Sequence, residues 1–107
     1  MQKIEIIESI RKKYTSGRVR FSIHSMKRMD ERKISLSEIE GVILTGEIVE
    51  EYPKDIPCPS YLIMGYVRGH EPLYVLAGLG EKLTIITVHW QDPEKWLDAG
   101  RRKKGDA

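Results

Sequence analysis

The spacing of apolar residues changes character once along this chain, at Gly46, and that change limits the folds open to it. Before Gly46, apolar residues recur at three- and four-residue intervals, as on one side of a helix. After it they alternate, as on a strand with two unlike faces. Ile4, Ile7 and Ile10 predict a helix over residues 2–14, stopped by Gly17. Residues 18–23 (RVRFSI) alternate and predict a short strand, and residues 24–33 predict a second helix. Ser35-Leu36-Ser37-Glu38 has the form of a capping box, in which hydroxyl and carboxylate each satisfy the other residue's backbone N–H. It opens a third helix with Leu36, Ile39, Val42 and Ile43 as its apolar stripe and Gly46 as its stop.

Four strands are expected beyond Gly46, over 47–52, 61–68, 73–79 and 83–90. The turn-forming stretches 68–72 (RGHEP) and 80–82 (GEK) make the last three an antiparallel meander. A stiff loop with three prolines, Pro53 to Pro59, separates the first two. Asp92-Pro93 suits the start of one short helical turn, and residues 100–107 read as a disordered basic tail. Helices first and strands after predict an α+β domain over residues 1–99. Its N-terminal helices are expected on one face of a four- to five-stranded antiparallel sheet.

Several function classes drop out early. A chain of 107 residues fits one domain. The lone Cys58 leaves no disulfide framework and no thiolate cluster. His24, Cys58, His70 and His89 have no metal-ligand spacing, so no metal or cofactor is expected. No apolar run nears the roughly 18 residues of a membrane helix. The opening MQKIEIIESIRKKY mixes charges through its apolar positions, unlike a signal peptide. The expectation is a cytoplasmic protein without a membrane partner.

Charge is segregated. The formal net charge is +2, but residues 1–99 carry 14 basic and 15 acidic groups. Within them, residues 11–33 hold nine basic and two acidic side chains, and residues 34–55 hold one basic and six acidic. Such blocks make either a positive and a negative face or ordinary solvated surface.

The basic block carries the candidate chemistry. On a helical wheel, Ile23, Met26 and Met29 fall on one side and read as core. His24, Lys27, Arg28, Glu31 and Arg32 fall on the other, within an arc of about 140°. His24, Arg28 and Arg32 then stand one turn apart in a row. Guanidiniums bind phosphate oxygens bidentately, and a histidine near neutrality can move a proton. Metal-free RNA cleavage needs a base for the 2′-hydroxyl, cations for the phosphorane and an acid for the leaving 5′-oxygen. Glu31 suits a base or an orienting partner for an arginine. The same row equally suits a solvated helix face with its arginines in ion pairs.

On the last strand, alternation puts Ile85, Thr87 and His89 on one face and Ile86, Val88 and Trp90 on the other. A strand His and Thr facing the same way can line a cleft, or can simply be half-exposed. Tyr52, Tyr61, Tyr66 and Tyr74 all fall on expected strands, and Tyr52 and Tyr61 flank the proline loop. Tyrosines stack on bases, donate a phenolic proton, or merely favour strands. Cys58 between Pro57 and Pro59 is a weaker candidate, as a nucleophile without a demonstrable base.

Three blocks carry a resemblance: FSIHSMKRMDERKIS, GEIVEEYPKDIPCPSYLIMGYVRGHEPLYVLAG and LTIITVHWQDPEKW. In this order, over about residues 20–97, they resemble an uncharacterised bacterial and archaeal family, number 4258 among the domains of unknown function. Its pattern is similar to the RelE/BrnT-like toxins of type II toxin–antitoxin systems, which are metal-free endoribonucleases acting on messenger RNA, often on the ribosome. Relatives are often encoded beside a small zinc-ribbon antitoxin. The resemblance implies an RNA-cleaving toxin neutralised by a partner protein. It transfers His24, Arg28 and Arg32 as motif positions, and His89 where many relatives carry Tyr. The candidate catalytic set is therefore His24, Arg28, Glu31, Arg32, Tyr61 and His89, with Arg20, Lys27, Arg28 and Arg32 contacting RNA. The helix over 2–14 lies outside the matched blocks and would pack on the sheet, mediate a homodimer or dock the antitoxin. The competing expectation is a non-catalytic RNA- or protein-binding module of the same fold.

Overall fold

The structure, a computed structural model, describes residues 2–90. The expected helical turn at Asp92-Pro93 and the basic tail lie outside the described residues. The elements follow the order α1 (Lys3–Thr15), β1 (Val19–Phe21), α2 (Ile23–Arg32), α3 (Leu36–Thr45), β2 (Glu47–Tyr52), β3 (Ser60–Val67), β4 (Glu71–Leu79) and β5 (Leu83–His89). The capping box forms as read: Glu38 N donates to Ser35 Oγ at 3.1 Å, and Ser35 N to Glu38 Oε1 at 2.9 Å.

One sheet of five strands runs in the order β1-β5-β4-β3-β2. Strands β2 to β5 are antiparallel, and the meander of the last three is present. The sheet as a whole is mixed, not antiparallel, because β1 pairs β5 in parallel. No hairpin ties these two strands together. The long crossover through α2, α3 and three strands leaves β1 free to enter in either direction.

The main core joins Ile6 and Ile10 of α1 and Ile39, Val42 and Ile43 of α3 to Ile63, Leu73, Val75, Ile85 and Val88 of the sheet. Thus α1 packs into the core, the first of its three expected roles. Arg11 ties α1 to the end of α3, donating to Ile43 O at 2.9 Å and Gly46 O at 2.8 Å. These are carbonyls that a helix end leaves unpaired. Gly46 is needed for closeness rather than for a left-handed turn. A Cβ there would meet Met64 O and Val42 O at 2.5 Å.

Helix α2 lies differently. Its expected apolar side is largely outside the core, with Ile23 75% and Met26 50% exposed and only Met29 packed against the main cluster. Ile4 and Leu36 are exposed as well. The physical reason for α2 is its place beyond the short β1, beside β5. There it supplies side-chain bonds where a neighbouring strand would supply backbone ones. Ser22 Oγ donates to Ile86 O at 2.9 Å and Arg32 Nη1 to Val88 O at 2.9 Å. Backbone groups on a strand edge need such partners.

Strand β5 also contains a bulge. Ala77 pairs Ile85 and Leu76 pairs Thr87, which leaves Ile86 as the extra residue. The alternation read from sequence therefore breaks. Ile85 and Val88 both face the main core, while Thr87 and His89 pair with Leu76 and Tyr74 on the opposite face. Cross-strand partners share a face, so Thr84, paired with Gly78, lies on that second face too.

Candidate functional site

The site is built where α2 meets the end of β5. Ser22 starts the helix: its hydroxyl accepts from Ser25 N at 3.0 Å while donating to the bulge carbonyl of Ile86. That bond fixes the first turn of α2, which carries His24, against β5. Ser25 is fully buried and donates to Ser22 O at 2.8 Å.

From there the row runs as the wheel predicts. His24 is exposed, Arg28 is partly covered and ion-paired to Glu31 at 2.5 Å, and Arg32 turns inward. Arg32 Nη1 lies 2.9 Å from His89 Nδ1 as well as from Val88 O. A guanidinium only donates, so Nδ1 must accept and the ring proton must sit on Nε2. Nε2 then points at Thr87 Oγ1, 3.3 Å away. Burial, then the charges of Arg32, Arg28 and His24, push the His89 pKa down to about 4. His89 is therefore neutral at physiological pH. Its Nδ1 is taken up by the bond from Arg32. Burial first, and then the neighbouring Arg28, also lowers the Arg32 pKa.

Two residues hold this corner that sequence reasoning missed. Trp90 Nε1 donates to Arg32 O at 2.9 Å. Arg68 lies over the Trp90 ring, 4.7 Å from its centroid, and donates to Glu38 Oε2 at 2.5 Å and to Lys33 O at 2.6 Å. The Arg68 hydrogen bond, ahead of all other influences, lowers the Glu38 pKa. Only the adjacency of Trp90 to His89 hinted at this in the sequence.

The structure brings His24, Arg28, Glu31, Arg32 and His89 together and leaves Tyr61 apart. Tyr61 is buried in the main core, paired to Ala77 and Glu51, on the other side of the sheet from His89. Lys27 is exposed on α2. Arg20 stands on β1, its Nε donating to Thr84 Oγ1 at 3.0 Å. It borders a cavity of about 530 Å³ beneath the proline loop. Cys58, Ser60, Gly78, Lys82 and Ile86 also line that cavity. His70 is exposed in the β3–β4 turn. Among the described residues, no group of three or more His, Cys, Asp or Glu is placed to hold a metal ion. No helix among them is long and apolar enough to cross a membrane.

Fold and site together define an α+β domain whose cationic helix face is seated on a strand histidine. Residues 21–90 match the family described as a domain of unknown function (DUF4258), and the chain belongs to that family. No curated protein and no solved structure matches it.

Proposed function

We propose that this protein is a toxin-like, metal-independent endoribonuclease of a type II toxin–antitoxin system, acting through the α2–β5 face. One observation carries the reading: His24, Arg28 and Arg32 stand a turn apart along α2, and Arg32 closes on the buried imidazole of His89 at 2.9 Å. Arg28 and Arg32 grip the scissile phosphate and balance the charge of the phosphorane. His24 is the exposed imidazole of this cluster and so the one a substrate can reach. It takes the 2′-hydroxyl proton as that oxygen attacks phosphorus. The P–O5′ bond breaks, a 2′,3′-cyclic phosphate forms, and the leaving oxygen takes a proton from solvent. Glu31 orients Arg28, and His89 orients Arg32. Arg20 and Lys27 add phosphate contacts. The neutralising partner in this reading is a small zinc-ribbon protein, and the substrate is messenger RNA.

A second reading has its own support. Both arginines already hold hydrogen-bond acceptors within the protein, and His89 is neutral. That arrangement suits a module that holds RNA, or a protein, without cleaving it. The purified protein, incubated with end-labelled RNA and a chelator, separates the two. Cleavage that His24→Ala abolishes while RNA binding survives is the expected result. Intact RNA that still binds, and releases on Arg28→Ala or Arg32→Ala, would replace the nuclease with the binding module. Induction in a bacterial host should give growth arrest that the same substitutions relieve.

A further inference from the structure

We infer that the cavity beneath the 53–59 loop is a subsite for one base of the RNA strand whose phosphates lie along α2; this rests on the RNA reading above. The cavity of about 530 Å³ is within the range of small-ligand sites. Its rim carries Arg20 and Lys82 but also Asp55 and Glu81. Two cations and two anions cancel, so the cavity offers a bare phosphate no net attraction. Its walls combine apolar surface from Ile56, Pro57 and Ile86 with polar groups tied to one another, Thr84 Oγ1 accepting from Arg20 and the buried Ser60 hydroxyl donating to Asp55. A flat group with apolar faces and a polar edge suits those walls, and a nucleobase is such a group.

Position links cavity and cations. The bulge at Ile86 puts Thr84 and His89 on the same side of the sheet, although an unbroken strand would put them on opposite sides. Arg20 borders the cavity, and His24 opens the cationic row four residues later. Their Cα atoms are therefore at most roughly 14 Å apart. A strand gripped by Arg28 and Arg32 can pass Arg20 and turn a neighbouring base into the cavity. Single-stranded RNA is commonly read through bases splayed out in this way.

Cys58 is the chain's one cysteine and lines this cavity, so its alkylation reports on the cavity alone. The wild-type protein is treated with iodoacetamide, with and without an oligoribonucleotide whose Kd has been measured. At about ten times Kd roughly a tenth of the protein is free, so alkylation should slow about tenfold. An abasic oligomer of equal length and charge should bind more weakly and leave the rate unchanged at equal occupancy. RNA that binds through Arg28 and Arg32 yet leaves Cys58 equally reactive would overturn the subsite and spare the RNA reading. Protection that is equal with the abasic oligomer would do the same. Protein that binds no RNA would sink that reading and the subsite with it.

Discussion

Helices α2 and α3 are both ten residues long and both start on a serine cap, yet they are held in place by different forces. Helix α3 buries Ile39, Val42 and Ile43 and rests on apolar contact, which has little directionality. Helix α2 buries only Ser25 and is fastened to β5 by Ser22, Arg32 and Trp90 through hydrogen bonds. Directional bonds fix the rotation of a helix as well as its position. They aim the row of His24, Arg28 and Arg32 where contact alone would let it turn. The same economy makes Arg32 both a candidate phosphate ligand and a strut, so any loss of function there must be read beside a thermal melt.

Four tests probe this contrast. The largest effect should fall on α3. Ile43→Ala is expected to cost about 2–5 kcal/mol in urea denaturation, the range for truncating a fully buried isoleucine. A loss below 1 kcal/mol by the same measurement would mean that α3 is not an apolar anchor. On the α2 side, pH is the sharper tool. His89 has its pKa lowered to about 4, so the unfolded chain takes up a proton that the folded protein refuses. Stability is then complete above about pH 6.5, the ordinary histidine value, and falls as the pH drops toward 4. The fall should reach at most about 3 kcal/mol, and His89→Asn should flatten it. Parallel curves for the two proteins between pH 7 and 4.5 would show that His89 is not held neutral.

The caps give a smaller and more direct comparison. Ser35→Ala removes a cap bond and should cost about 1 kcal/mol. Ser22→Ala removes a cap bond and the bond to Ile86 O, so it should cost about 2 kcal/mol. Equal losses would mean that the tie to β5 adds nothing. The smallest effect is expected at Ile23 and Met26, exposed despite their helical spacing. Ile23→Ser with Met26→Ser should shift stability by no more than about 0.5 kcal/mol. A larger loss would return that side of α2 to the core.

The sequence made local features legible and left distant ones hidden. The capping box at Ser35, the meander and the row on α2 follow from spacing and residue type within a few positions. The bulge at Ile86 escapes a strict period of two, although the adjacent Ile85 and Ile86 interrupt the apolar–polar alternation of LTIITVH and are its local signal. That one residue transfers Thr87 and His89 to the face opposite Ile85, so the expected grouping fails at the place that matters most for the site. The exposure of Ile23 and Met26 depends on α2 lying beside β5, a tertiary fact that a helical wheel does not contain. The cavity combines Arg20, Cys58 and Thr84, far apart in sequence and joined only by the parallel entry of β1 and the fold of the proline loop. Tyr61 illustrates the converse: its chemistry suited a nuclease, but strand parity commits it to the core.

The bonds from Arg11 to the last turn of α3 have a consequence for what counts as this protein's smallest working piece. The family match begins at residue 21, after α1 has ended. A fragment cut at that boundary would keep His24, Arg28, Glu31, Arg32 and His89 but lose Arg20. It would also lose Ile6 and Ile10 from the interior and leave the carbonyls of Ile43 and Gly46 without their guanidinium. The stretch of sequence that defines membership in the family is thus shorter than the stretch that must fold together. Domain transplants and truncations should be cut ahead of Lys3, with the first helix travelling as part of the cargo.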